Sequence, residues 1–95
     1  VSEQVTRIAG LLREAAKLHH DVYRITDGAD DDWASWYADW LTSLSELPEI
    51  LGMKLVRSEV TWLLVKLEGD YAAAGTDEQW EDFYARAFVD HFAKE

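Results

Sequence analysis

VTRIAGLLREAAKLHHDVY, residues 5–23, decides the fold. Val5, Ile8, Leu12, Ala15, His19 and Val22 recur three and four residues apart. That spacing draws one apolar stripe along a helix with 3.6 residues per turn. Leu11, Leu18 and Tyr23 widen the stripe, while Arg7, Glu14, Lys17, Asp21 and Arg24 occupy the opposite face. Glu3–Arg7 and Lys17–Asp21 add opposite charges one turn apart. The pattern predicts a helix over about 2–26.

Working outward, Thr26-Asp27-Gly28-Ala29-Asp30 reads as a turn, with Gly28 as its left-handed stop. Asp30, Asp31 and Asp32 suit the positive start of a second helix, about 31–44. Trp33, Trp36, Tyr37, Trp40, Leu41 and Leu44 share one face of it. Pro48 and Gly52 frame a short helical turn near 47–51, and Met53–Val56 reads as an extended connector. Ser58 is expected to cap a third helix, 58–74, closed by Gly75. Thr76-Asp77-Glu78-Gln79 reads as a capping box before a fourth helix, 77–93. On that helix Trp80, Phe83, Tyr84, Ala87, Phe88, His91 and Phe92 fall together. No alternating strand pattern occurs. The expected fold is all-α: a single-domain antiparallel four-helix bundle spanning residues 1–95.

The third helix is unusual. Val60, Leu63, Leu64, Leu67 and Tyr71 form its main stripe, but Trp62, Val65, Gly69, Ala72 and Ala73 cluster on the other side. A helix apolar on both sides is expected to be buried on both sides. The cover is either a second copy of the chain or the chain's own 45–56 segment. Gly69 costs a helix about 1 kcal/mol relative to Ala, which suits a close approach by another backbone or ring.

Composition narrows the function. The chain has 95 residues, 9 Lys+Arg against 19 Asp+Glu, a formal net charge of -10 and no cysteine. Zinc sites built on cysteine, thiol nucleophiles and disulfide scaffolds are excluded. Nucleic acid is not an expected partner, because phosphate contacts need Lys and Arg. No run of about 18 apolar residues exists, so no membrane span is expected. Residues 1–13 lack the pattern of a signal peptide, and a start at Val1 suggests trimming. The expected location is cytoplasmic.

No motif marks a catalytic residue. Ser35, Ser43, Ser45 and Ser58 lack a nucleophile elbow, and the glycines are scattered rather than gathered in a phosphate loop. Metal binding is not expected: no histidine has a carboxylate three or four residues away except His91 with Glu95. Asp27, Asp30, Asp31 and Asp32 do not fit a calcium loop, since Gly28 follows Asp27 directly. No cofactor is implied. His19 and His91 each sit within an apolar stripe, whereas His20 lies at its edge and should face solvent. Either His19 and His91 are core groups bonded to a Tyr hydroxyl or a carbonyl, or they line an aromatic pocket. His19, Trp36, Trp40, Tyr84 and His91 are the candidate ligand-binding residues of that pocket. Trp33, Trp36, Tyr37 and Trp40 form either core or an aromatic cage.

His19-His20, Thr26-Asp27-Gly28 and Trp33-Ala34-Ser35-Trp36-Tyr37-Ala38-Asp39-Trp40-Leu41 together resemble small bacterial all-helical proteins with a W-x-x-W-Y-A-x-W/Y-L segment. That group has no assigned activity. The resemblance covers His19 to Leu41 best, implies a bacterial cytoplasmic origin, and carries over no catalytic residue.

Three functions follow from these readings. The first is a homodimeric, non-enzymatic interaction module, using Trp62, Val65, Gly69, Ala72 and Ala73. The second is a small-ligand binder or enzyme with a pocket near His19 and His91. The third is an acidic decoy for a basic protein.

Overall fold

The computed structural model describes residues 3–93, so expectations at residue 2 and for Glu95 lie outside it. Its regular structure is helical, with no strand among the described residues. The described residues form five α-helices: α1 (Glu3–Val22), α2 (Trp33–Ser43), α3 (Leu47–Leu51), α4 (Arg57–Ala74) and α5 (Trp80–Ala93). A single 3-10 turn, Arg24–Thr26, follows α1.

Most of each apolar stripe becomes core, but Leu18, Val22 and Leu44, at or near the ends of their helices, stay exposed. Ile8, Leu12, Leu41, Leu47, Val60, Leu64 and Phe88 are the core's largest fully buried side chains. They come from all five helices, so no helix buries its stripe alone. α1 packs most extensively against α5, and α2 against α4, whereas the sequence neighbours α1–α2 and α4–α5 touch less. Arg13 reaches from α1 to Asp82 at 3.4 Å, with Glu81 at 3.9 Å. Gln4 donates its side-chain amide to the Ile50 carbonyl at 2.9 Å, which joins α1 to α3.

The helix ends differ from expectation where loop chemistry wins. α1 stops at Val22 because Asp27 (φ 58°) and Gly28 (φ 85°) take left-handed conformations, and the Gly28 amide folds back onto the Tyr23 carbonyl at 2.9 Å. α2 starts at Trp33 behind Asp32, whose side chain makes no capping bond; Asp30 accepts the Asp32 amide instead. Ser58 lies inside the first turn of α4, behind Val56. The expected capping box does not form. α5 starts at Trp80, Thr76 accepts only the Glu78 amide, and the Glu78 side chain pairs with Arg86. Gly52 and Gly75 do close α3 and α4 with positive φ.

The second apolar face of α4 is not buried within the chain. α3, in the segment expected as a possible cover, packs against α1, α2 and α5. Trp62 is 55% exposed and Val65 54% exposed, and Gly69, Ala72 and Ala73 are exposed too. Nothing lies within 4 Å of a Cβ placed on Gly69.

Candidate functional site

The two stripe histidines are each held by a carboxylate from a distant part of the chain. α1 places His19 against α2 and the loop that precedes it. Its Nε2 meets Asp30 Oδ2 at 2.9 Å, with both side chains more than 90% buried. Aromatic rings surround the imidazole: Tyr23 at 4.7 Å, Trp36 at 5.0 Å and Tyr37 at 5.3 Å between centroids. The Asp30 carboxyl titrates below its ordinary range. The hydrogen bond from His19 is the main cause, burial opposes it, and the Asp32 amide and the Tyr23 hydroxyl assist. The Tyr23 hydroxyl is pushed up, first by desolvation and then by the Asp30 charge. A phenol that stays protonated remains a donor to that carboxylate.

His91 sits on α5 opposite the start of α4. Its Nε2 meets Glu59 Oε2 at 2.9 Å, with the two side chains 30% and 32% exposed. Trp62 lies beside the ring at 5.9 Å, and Phe92 abuts it edge-on at 4.8 Å. An open groove of about 310 Å³ runs along this seam between Trp62 and Phe83, with Lys66, Asp70, Arg86 and Asp90 along it. Three of these charges have partners: Lys66 pairs with Asp70, and Arg86 with Glu78.

The five candidate ligand-binding residues therefore occupy separate surroundings. His19 and Trp36 pack together. Tyr84 is buried beside Trp80 and Tyr71. Trp40 is half-buried with Leu11, Glu14 and Leu44 around it. His91 belongs with Trp62 and Glu59. The aromatic run of α2 divides likewise, as Trp33 packs edge-on against Tyr37 while Trp36 turns to His19. His20 is exposed, as expected, and its ring lies over Gly28.

Asp30 and Glu59 were missed as histidine partners. They stand 11 and 32 residues from their imidazoles, beyond any helical spacing rule. The available signal was indirect: a polar ring in an apolar stripe needs a partner. No cluster of three or more potential metal ligands occurs among the described residues, and no described helix is long and apolar enough to cross a membrane.

What distinguishes the α4 face from both histidine sites is its exposure, although Trp62 at one end also rests partly against His91. Trp62, Val65, Gly69 and Ala72 follow a three-four-three spacing, which aligns them in one seam on the helix surface. No family model, curated protein or solved structure matches the chain.

Proposed function

We propose that this chain is a non-enzymatic bacterial cytoplasmic module that works as a homodimer, pairing the outer faces of two α4 helices. The observation that carries the reading is the exposure of Trp62 and Val65, each more than half open to solvent on one face of α4. Burying apolar surface is the main source of association energy.

A second copy suits the face because the seam is self-complementary. Its bulky groups, Trp62 and Val65, lie towards one end, and its small groups, Gly69, Ala72 and Ala73, towards the other. Two antiparallel α4 helices about a two-fold axis would set each Trp62 over the other copy's Ala72. The same register sets Val65 over Gly69. A two-fold interface needs such pairing of one patch with itself, and a Gly opposite Val lets the backbones approach. The seam residues carry no charge, which keeps desolvation cheap. Residues 1–95 then act as one domain. An antiparallel bundle of the four longer helices is supported at the α4–α5 pair, where Glu59 meets His91 and Tyr71 meets the Glu78 carbonyl.

Light scattering tests the proposal. The wild type should be dimeric at high micromolar concentration. Gly69→Glu should be monomeric yet still folded, because a Cβ at this position meets no intrachain atom within 4 Å. Dimerisation should strengthen with salt, since two copies of charge -10 repel each other. A wild type that stays monomeric throughout refutes the proposal.

A further inference from the structure

A second groove, of about 220 Å³, lies where α2, α4 and α5 meet. Each helix supplies two residues one turn apart: Trp33 and Tyr37, Leu64 and Glu68, Trp80 and Tyr84. We propose that this groove binds a small organic cation with a quaternary ammonium head, held by the four aromatic rings and balanced by Glu68.

The ring geometry is the first argument. Trp33 and Tyr37 stand edge to face at 5.7 Å and 85°, and Trp80 and Tyr84 at 5.2 Å and 79°. Two perpendicular pairs on different helices present ring faces and edges in several directions around one space. Ring faces carry the negative lobe of the quadrupole and attract cations.

Charge is the second argument. No Lys or Arg lines the groove, so no resident cation competes for the rings. Glu68 is exposed and makes no hydrogen bond or ion pair among the described residues, which leaves its carboxylate available. Tyr84 is held protonated by burial and by the nearby Glu68 charge, its hydroxyl pushed up to about 12. Glu68 is the single carboxylate of the lining. The net charge of -10 raises the local concentration of any cation.

Shape selects the kind of cation. Leu64 makes the floor apolar, and the lining offers one carboxylate rather than a fork of acceptors. An ammonium bearing N–H groups would find few protein acceptors there to offset the hydration it loses on the rings. A quaternary head has no N–H and asks only for faces and a counter-charge. The volume lies below that of pockets for drug-sized ligands, which matches a head group.

The test is a titration with tetramethylammonium and with choline, read from the indole N–H resonances. Sodium chloride and the neutral isostere 3,3-dimethylbutan-1-ol serve as controls. Saturable shifts confined to Trp33 and Trp80 are expected for both cations and for neither control. Glu68→Gln, at an exposed position, should weaken binding about fivefold, and Trp80→Leu about tenfold. Absence of saturation, equal binding of the neutral isostere, shifts centred on Trp62 or Trp40, or unchanged affinity in Glu68→Gln would each overturn the proposal. Dimerisation at α4 is read separately by light scattering, so either proposal can fail alone.

Discussion

The two histidine–carboxylate pairs share a 2.9 Å contact and differ in almost everything else. His19 and Asp30 are both buried, ringed by Tyr23, Trp36 and Tyr37, and tie the 23–32 loop to the bundle. His91 and Glu59 are about a third exposed at the edge of an open groove. Water can replace either partner of the second pair but neither partner of the first. The same two functional groups therefore serve as a lock in one place and as a weak surface link in the other.

Substitutions should separate the two. His19→Ala should have the largest effect, with at least about 2 kcal/mol lost from ring packing alone. Denaturant unfolding measures that loss, and a stability equal to wild type would remove the distinction between the pairs. Gly28→Ala comes next, at roughly 1–2 kcal/mol. Its φ of 85° disfavours any side chain, and a Cβ would stand 2.8 Å from His20 Nδ1. Hydrogen exchange should then show the 23–32 loop opening before the bundle.

Asp30→Asn adds a pH signature. The folded-state pKa of Asp30 is depressed, so its stabilisation is present above the unfolded value, near pH 4, and is lost as pH falls through the folded value. The Tm gap between wild type and Asp30→Asn should be open at pH 7 and close progressively below pH 4. A gap independent of pH would mean that Asp30 acts through shape alone. The smallest effects belong to the outer pair. His91→Ala and Glu59→Gln should each cost about 0.5 kcal/mol. A loss matching that of His19→Ala would show that exposure does not set the difference.

Much of the fold was legible. The existence of the four long helices follows from periodicity, because side chains three and four apart share a face whatever the rest of the chain does, and the 47–51 turn follows from Pro48 and Gly52 at its ends. Gly52 and Gly75 were readable as stops because glycine takes a positive φ freely, and Gly28 has a positive φ too, but α1 ends earlier, at Val22. The starts of α2, α4 and α5 were not. At each, a Ser, Thr or Asp had several backbone amides within reach, and loop geometry chose among them. The candidate site was legible only in outline. His19 and His91 were found, but with Tyr hydroxyls or carbonyls expected as partners rather than Asp30 and Glu59. Trp33, Tyr37, Trp80 and Tyr84 were each visible as stripe residues, yet their meeting around Glu68 was not.

By itself, then, the sequence determined which residues form helices and which face of each is apolar, since both depend on spacing of a few residues. It also determined the oddity of α4, whose second apolar face is plain from Trp62 to Ala73. Only the tertiary structure decided that α1 chooses α5 and α2 chooses α4, that α3 turns to α1, α2 and α5, and that one imidazole is sealed while the other stays wet. Those outcomes depend on contacts between residues tens of positions apart. Helix periodicity carries no information about which faces will meet.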